Sequence, residues 1–275
     1  MKILAGIVLF NPDLQRLEEN VKAVYKQVDK VILYNNGSRN IADVVELINK
    51  YEHTEIIDCS TNKGIAYALG EIMKYAVANS YEWVLSLDQD SVLLPGLVEA
   101  YRKHFNLEAL GALSCNIVDR NFEAISKRAE DIYEVKTCIT SAMIIRVEAY
   151  IKTDGYNSEL FIDGVDFDIC LNLRKNGFKI LRVNVDGVLH EVGHGRNVKL
   201  LGKKYVVFNE SAFRHYYMAR NYIYLSRKYK NELSIYHELL SQVVRIILII
   251  MYENDKKRKI VNRLKGMVDG FKMKI

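Results

Sequence analysis

The chain contains few of the residues that separate domains or cross-link a fold. Its two prolines, Pro12 and Pro95, leave no proline-rich linker in 275 residues, which suits one large domain or one domain with a small appendage. The four cysteines are scattered without a Cys-x-x-Cys pair, which disfavours a disulfide framework or a zinc site and favours a cytoplasmic location. The net charge of +5 is too small to indicate nucleic-acid binding, although it suits an anionic substrate or membrane surface.

Further absences disfavour two enzyme classes and a secretion signal. No Gly-x-Gly-x-x-Gly motif follows the first apolar run, which disfavours a dinucleotide-dependent dehydrogenase. The residues at 10–13, Phe-Asn-Pro-Asp, are not the glycine-rich, arginine-containing loop of a sugar-nucleotide nucleotidyltransferase. The first apolar run is short and lacks a small-residue cleavage site, so we expect a buried strand rather than a signal peptide.

Apolar runs alternate with segments of helical spacing through the first 90 residues. Such alternation predicts an α/β fold with a doubly wound, mostly parallel sheet. In sheets of this kind, ligands bind beyond the carboxyl ends of the strands. The predicted strands are 2–9, 31–34, 55–58 and 83–87, and the predicted helices are 13–27, 42–50 and 65–78.

The rest of the chain is less regular and ends in helices. We expect a main domain at 1–208 and a helical extension at 209–275. The extension is aromatic and basic, and its apolar stretch at 235–252 is expected to be too short to span a membrane. It fits a surface that docks on an inner leaflet, a helical cap or an oligomer interface equally well. Predicted here are helices at 95–105, 167–175, 211–229, 232–252 and 254–271, and strands at 110–118 and 135–145.

The Asp88-Gln89-Asp90-Ser91 turn carries the clearest chemical signal. Two carboxylates separated by one residue at a strand end can point into the same crevice, where Mg²⁺ or Mn²⁺ takes carboxylate and phosphate oxygens. Such a metal neutralises a diphosphate leaving group as its charge develops. Polar turns also follow the first two predicted strands, at 10–11 and 35–38, which predicts one nucleotide-binding crevice. The structural alternative is an ordinary solvated acidic turn.

A second acidic cluster opens the predicted helix at 167–175. Asp163, Asp166 and Asp168 suit a helix start because carboxylates there are stabilised by the helix dipole. The functional alternative is a general base that removes a proton from an attacking hydroxyl. Downstream, His190 and His194 have the spacing of a zinc motif, but the neighbouring glycines are unsuited to a metal-binding helix.

Seven segments resemble, in order, those of family 2 glycosyltransferases of the GT-A fold, over about residues 1–225. The segments look most similar to bacterial rhamnosyltransferases of surface-polysaccharide assembly. The resemblance implies an inverting transfer of a sugar, with rhamnose favoured, from a dTDP- or UDP-sugar to a hydroxyl of a glycan or lipid-linked acceptor. The segments are GIVLFNPD at 6–13, YNNGS at 34–38, NKGIAYAL at 62–69, WVLSLDQDS at 83–91, TSAMIIR at 140–146, FIDGVDFDICLNLRKNGFKI at 161–180 and HYYMARN at 215–221.

The resemblance implies a catalytic base and an acceptor site. Asp166 matches the family's base, with Asp163 as the rival because two positions depart from the family pattern. Val165 stands where many relatives have Glu, and Asn172 where an Arg is usual, with Arg174 as its substitute. The implied acceptor-binding residues are Ser141, Asp168 and Arg174.

The resemblance also implies the donor and metal sites. The implied ligands of the metal, Mg²⁺ or Mn²⁺, are Asp90, Asp88 and His190. Asn35 replaces the Asp that accepts the N3–H of a pyrimidine base, and its amide oxygen can still accept that bond. Asn62 is expected to cap a helix and Lys63 to approach the diphosphate. The implied donor-binding residues are Phe10, Asn11, Asn35, Asn36, Gly37, Ser38, Asn62, Lys63, Gly64, Asp88 and Gln89.

Two other functions remain open from the residues alone. One is a non-catalytic protein that binds a nucleotide sugar without turnover, and the other is a sugar-nucleotide nucleotidyltransferase. A homo-oligomer also remains open.

Overall fold

A computed structural model of the chain describes residues 1–119, 130–190, 195–200 and 202–275, without the side chains of Asp119 and His190. The contacts between residues divide the chain into two compact units. The first unit comprises Met1–Glu159 and Asp166–Glu191, and the second comprises Leu160–Val165 and Val192–Ile275. The boundary that we expect at residue 208 stays a prediction.

The first unit contains a large mixed sheet with helices between its strands. The strand order is β3-β2-β1-β4-β8-β6-β9-β5, and β7 pairs with β9. The strands β1 to β4 are parallel to one another, and β8 enters antiparallel between β4 and β6. The strands are β1 (Ile3–Leu9), β2 (Lys30–Asn36), β3 (Thr54–Cys59), β4 (Trp83–Asp88), β5 (Val92–Leu93), β6 (Leu110–Asp119), β7 (Ile132–Glu134), β8 (Met143–Arg146) and β9 (Lys179–His190). The helices are α1 (Leu14–Val24), α2 (Ile41–Ile48), α3 (Ile65–Ala78), α4 (Leu97–Arg102), α5 (Val147–Tyr150) and α6, which begins at the unit boundary (Val165–Lys175).

The core explains why continuous apolar runs form the central strands. Ile3, Leu4 and Ala5 of β1 are completely buried, as expected for a strand with both faces covered. On α1, Leu17 and Val21 form the buried stripe that helical spacing predicts. The predicted α/β fold with a mostly parallel sheet is therefore confirmed.

Two predicted elements after residue 91 are wrong in extent. Residues 143–145 of the predicted strand at 135–145 belong to β8, whereas residues 135–142 form an irregular segment that ends in a turn just before β8. The turn is closed by a bond of 3.0 Å from the Met143 N–H to the Thr140 carbonyl, with Ala142 at a φ of 60°. The predicted helix at 95–105 is the shorter α4, because Gly96 before it has a φ of 82° and is not helical. The residue types do not show where the strand or the helix is interrupted, because apolar residues continue through both interruptions.

The second unit is a hairpin of β10 (Arg196–Leu200) and β11 (Lys203–Val207) and the helices α7 (Ala212–Lys228), α8 (Ile235–Tyr252) and α9 (Lys256–Lys272). A Cβ added at Gly266 or Gly270 of α9 would collide with backbone carbonyls of α7, so these helices pack at very close range. Arg227 of α7 donates to the carbonyls of Gly270 and Met273, each at 2.9 Å, at the end of α9.

Helix α8 is long enough and apolar enough to cross a membrane, which the sequence analysis did not expect. It has 18 residues with a mean hydropathy of 1.4, which meets the length and composition of a span, and 17% of it is buried. Our expectation that it is too short is therefore wrong. Length and composition alone do not make it a spanning helix.

Candidate active site

The turns that follow β1, β2 and β4 are joined by hydrogen bonds at the carboxyl edge of the parallel strands. The Phe10 N–H donates to Oε1 of Gln89 at 2.8 Å, and the Asn11 N–H donates to Oγ of Ser38 at 2.9 Å. The carbonyl of Phe10 also accepts from Nε2 of Gln89 at 3.4 Å. The structure thus brings these four predicted donor residues together at the edge where ligands of such sheets bind.

Asn35 is fixed by the turn that it begins. Its Nδ2 donates to Oδ1 of Asp58 at 2.6 Å, and its Oδ1 accepts from the Ser38 N–H at 2.9 Å. The side chain is buried, so its amide orientation is set before a ligand arrives. The amide oxygen keeps a second lone pair, which is the one that a pyrimidine N3–H requires.

Asn36 links this turn to the segment before α3. Its Oδ1 accepts from the Lys63 N–H at 2.9 Å, and its Nδ2 donates to Oδ1 of Asn62 at 3.0 Å. The expectation that Asn62 is the N-cap is wrong, because Gly64 holds the N-cap position and has no side chain that could make a cap bond. The Asn62 amide oxygen instead accepts from the Gly64 N–H at 2.9 Å. Nζ of Lys63 lies 4.6 Å from the ring centre of Tyr67.

Gly37 occupies a position that another residue would disturb. Its φ is +85°, and a Cβ built there would lie 2.7 Å from the backbone nitrogen of Asn62 and 2.9 Å from the carbonyl carbon of Thr61. Both atoms belong to the segment that Asn36 holds, so they cannot retreat without breaking its bonds. The close approach of these two turns therefore requires glycine at this position.

The Asp88-Gln89-Asp90 turn is supported by buried polar groups that sequence reasoning missed. Asn20, completely buried on α1, donates from Nδ2 to the Asp88 carbonyl at 2.7 Å. The Ser91 N–H donates to the same carbonyl at 3.1 Å, and Oγ of Ser141 donates to Oγ of Ser91 at 2.6 Å. The available signal for Asn20 was an amide on an otherwise apolar helix face. Ser141, predicted to bind the acceptor, is buried against this turn.

The turn offers oxygen ligands that suit a hard divalent cation. Asp88 and Asp90 are both partly exposed at the end of β4. In the part of the chain that the structure describes, no group of three or more His, Cys, Asp or Glu side chains could hold a metal. Mg²⁺ and Mn²⁺ fit such a sparse donor set, since they take one or two carboxylates and complete their shell with phosphates and water. The predicted ligand His190 ends β9, and its side chain lies outside the described part.

Helix α6 carries Asp166 in its first turn. The Oδ1 of Asp166 accepts from the Phe167 N–H at 2.9 Å, and the side chain is partly exposed. Asp168 is 1% exposed, and Arg174 pairs with Glu134 at 3.0 Å. The roles predicted for these residues stay predictions.

Asp163 lies in the second unit, within a constrained loop. Its φ is +64°, and its carboxylate pairs with the Arg214 guanidinium at 2.6 Å and 3.4 Å. Burial opposes the charge of Arg214, but the bond and charge of Asp163 raise the pKa of Arg214 above its ordinary value. Nδ2 of Asn221 donates to the carbonyls of Leu160, Ile162 and Asp163 at 2.7–2.8 Å. The sequence analysis did not predict that Arg214 and Asn221 stabilise this loop.

Comparison with known proteins identifies the class to which this fold and site belong. Residues 5–161 match the family described as Glycosyl transferase family 2. The chain belongs to this family and is a glycosyltransferase, as its resemblance predicts.

Particular relatives cover different shares of their own length. The dTDP-rhamnosyl transferase RfbF of Shigella flexneri is 24% identical over 98% of this chain and 95% of its own length. Hyaluronan synthase of Streptococcus pyogenes is 28% identical over 44% of this chain and 30% of its own length. Among solved structures, S. aureus TarS 1-349 in complex with UDP-GlcNAc has a TM-score of 0.62 and 14% identity, over 98% of this chain and 81% of that one. GalNAc-T7 with UDP, GalNAc and Mn²⁺ has a TM-score of 0.58 and 14% identity, over 82% of this chain and 48% of that one. These structures support the GT-A fold.

Proposed function

We propose that the protein transfers L-rhamnose from dTDP-rhamnose to a hydroxyl of a glycan or lipid-linked acceptor in surface-polysaccharide synthesis. The observation that carries a nucleotide-sugar donor is the set of hydrogen-bonded turns at the carboxyl edge of β1, β2 and β4. The choice of rhamnose rests on similarity to the Shigella flexneri enzyme over almost the full length of both chains. A UDP-hexose is the second candidate donor, because uracil and thymine present the same N3–H.

The donor base and diphosphate have separate sites in this proposal. Asn35 accepts the N3–H of the pyrimidine, with its amide already oriented by Asp58. The Asp88 and Asp90 carboxylates would hold Mg²⁺ or Mn²⁺, which would neutralise charge on the departing nucleoside diphosphate. The N–H groups and Lys63 near the start of α3 provide further positive potential for an anionic ligand.

Asp166 is the base in this proposal, and Asp163 holds the loop before it. The Arg214 guanidinium hydrogen-bonds to both oxygens of Asp163, so the role of that carboxylate in this proposal is to hold the loop. Asp166 removes the acceptor hydroxyl proton as that oxygen attacks the anomeric carbon from the face opposite the leaving group. The bond to the anomeric carbon forms as the bond to the diphosphate oxygen breaks, so no covalent intermediate with the protein is required.

A panel of donors tests this function. dTDP-rhamnose, UDP-glucose, UDP-galactose and GDP-mannose are added with and without Mn²⁺, and the shift in melting temperature is recorded. The proposal expects dTDP-rhamnose with Mn²⁺ to stabilise most and EDTA to cancel the gain. Stabilisation by GDP-mannose alone, or equal stabilisation after thorough chelation, would contradict the assigned base site or metal.

The second unit also supports a peripheral location on the cytoplasmic face of a membrane. On α8, Leu240, Val243, Ile247 and Ile250 recur at intervals of three and four residues and are 38–63% exposed. On α9, Val261, Leu264, Val268 and Phe271 repeat this pattern with 46–57% exposure. The exposed cations nearby are Lys256, Lys257, Arg258, Lys265, Lys272 and Lys274. A second copy would bring these like charges together, so an anionic lipid surface is the partner that we propose.

Vesicle sedimentation tests this location. The protein is mixed with phosphatidylglycerol or phosphatidylcholine vesicles, and Leu264→Asp is compared with Val45→Asp, which alters a 42%-exposed side chain on α2. We expect binding to phosphatidylglycerol alone, weakened by added salt and by Leu264→Asp only. Absence of vesicle binding, or a dimer that Leu264→Asp dissociates, would overturn the proposal.

A further inference from the structure

An aromatic cluster stands beside the constrained loop in the second unit. Phe161 of the loop stacks on Tyr217 with ring centres 5.1 Å apart, and Phe213 lies 5.8 Å from Phe161 and 4.8 Å from Tyr217. Phe213 and Tyr217 are four residues apart on α7, which places them on one face of the helix. Phe213 is 52% exposed, so a large part of its ring remains in contact with solvent.

The cluster is held in place by the residues around it. Phe161 has a φ of 62°, a conformation that bulky side chains rarely adopt. Asn221 compensates by binding the carbonyls on either side of Phe161, those of Leu160 and Ile162, both at 2.8 Å. The Arg220 guanidinium lies 4.5 Å from the ring centre of Tyr217 and donates to Asn221 at 2.9 Å. The backbone that carries the ring of Phe161 is therefore strained, and the hydrogen bonds from Asn221 offset that strain.

Charged groups of both signs occur on the same loop and on the same helix as these rings. Arg214, next to Phe213 in the chain, pairs with Asp163 at 2.6 Å and with Glu210 at 2.7 Å. The membrane surface that we propose on α8 and α9 is different, since it combines aliphatic side chains with cations. Flat rings beside balanced hydrogen-bonding groups match a pyranose, which has an apolar C–H face and a hydroxyl edge.

We propose that Phe161, Phe213 and Tyr217 form a subsite for a sugar ring of the acceptor glycan. The C–H face of the ring stacks on Phe213, and its hydroxyls meet the Arg214 and Asp163 groups. Assignment to the acceptor rests on the proposed function and on the chain itself, because Phe161 precedes the proposed base Asp166 by five residues. The subsite would select a sugar by the shape of its apolar face rather than by charge.

Saturation-transfer NMR on the full chain tests the subsite without knowledge of the acceptor. The probes are the methyl glycosides of rhamnose, glucose, galactose and N-acetylglucosamine. Phe213→Leu removes the ring but keeps an apolar side chain, and Phe213→Tyr restores a ring. Tyr236→Leu is the matched control, because Tyr236 is an 82%-exposed aromatic residue at the start of α8.

We expect at least one glycoside to bind the wild type through its C–H protons. Phe213→Leu should weaken that binding by about tenfold, the factor that one aromatic contact provides, whereas Phe213→Tyr and Tyr236→Leu should preserve it. Failure of every glycoside to bind the wild type, or equal binding by Phe213→Leu, would overturn the subsite.

Release of dTDP from dTDP-rhamnose, with water as the acceptor, is measured on the same proteins. We expect Phe213→Leu to leave this rate unchanged, and a parallel loss of rate would overturn an acceptor role. A wild type that binds a glycoside but no nucleotide sugar would refute the proposed function while leaving a sugar site, so the two failures are distinguishable.

Discussion

Replacement of Gly37 by alanine tests whether the turns of the candidate donor site depend on a close backbone approach. Gly37 has a φ of +85°, and its added Cβ would lie 2.7 Å from the Asn62 nitrogen. Gly177 provides a matched control in the same unit, because its φ is +83° and nothing lies within 4 Å of its added Cβ. Both substitutions place an alanine in a left-handed backbone conformation, but only the one at Gly37 also makes the new Cβ collide with a neighbouring segment.

The structure sets the size of both effects. The left-handed backbone costs an alanine about 1–2 kcal/mol at either position. At Gly37 the collision adds about 1–3 kcal/mol, a typical cost of overpacking, because Asn36 anchors the opposing backbone. Gly37→Ala should therefore lower the free energy of unfolding by about 1–3 kcal/mol more than Gly177→Ala does.

Urea denaturation measures the stability of both variants, and calorimetric titration with dTDP and Mn²⁺ measures donor-site affinity. We expect only Gly37→Ala to weaken dTDP binding, because the collision displaces the turn at 35–38. Equal losses of stability in the two variants would refute the claim that contact with Asn62 requires glycine. Unchanged dTDP affinity in a folded Gly37→Ala protein would refute a role of this turn in donor binding.

The remaining predictions concern the loop, a buried ion cluster and the metal. Asn221→Leu should lower the free energy of unfolding by about 2–4 kcal/mol, because buried loop carbonyls lose their donor. The exposed change Asn231→Leu is its control, and equal urea midpoints would contradict the prediction. Burial favours the neutral acid at Glu253, but hydrogen bonds from His215 and Lys259 dominate and lower its pKa below 4.5. Ionised Glu253 therefore stabilises the fold above pH 4.5, and this contribution is lost as pH falls through the lowered pKa. Glu253→Gln should be less stable than the wild type in urea at pH 7, with a smaller difference at pH 3.5, and a constant difference would refute this sign. Asp90→Asn should abolish the tightening of dTDP binding by Mn²⁺ in calorimetry, whereas undiminished tightening would exclude Asp90 as a ligand.

The central strands could be predicted because burial on both faces leaves a continuous apolar run. The residues of β1 and β4 have this character, and the polar turn after each strand follows directly in the sequence. The position of Asp88 at a strand end could therefore be predicted from the order of the residues alone. The convergence of the turns after β1, β2 and β4 followed from the parallel order of the strands.

Contacts between residues distant in sequence could not be predicted in the same way. Asn20 reaches the Asp88 carbonyl, a separation of 68 residues, and Asn221 reaches the loop at a separation of 58–61 residues. Neither amide has a local signature beyond being polar. The pairing of Asp163 with Arg214 likewise depends on the second unit bringing α7 to the loop. The sequence alone therefore could not show which carboxylate of the 163–168 cluster pairs with a cation.

The most direct test of the proposed transferase is the rate of dTDP release from dTDP-rhamnose with Mn²⁺. Wild type, Asp166→Asn and Asp131→Asn are compared, the last being an exposed Asp just before β7. We predict measurable release by the wild type and by Asp131→Asn, and a rate about 100-fold lower for folded Asp166→Asn, as expected for loss of a general base. Equal rates for Asp166→Asn and Asp131→Asn, or no release by the wild type, would contradict the proposed mechanism.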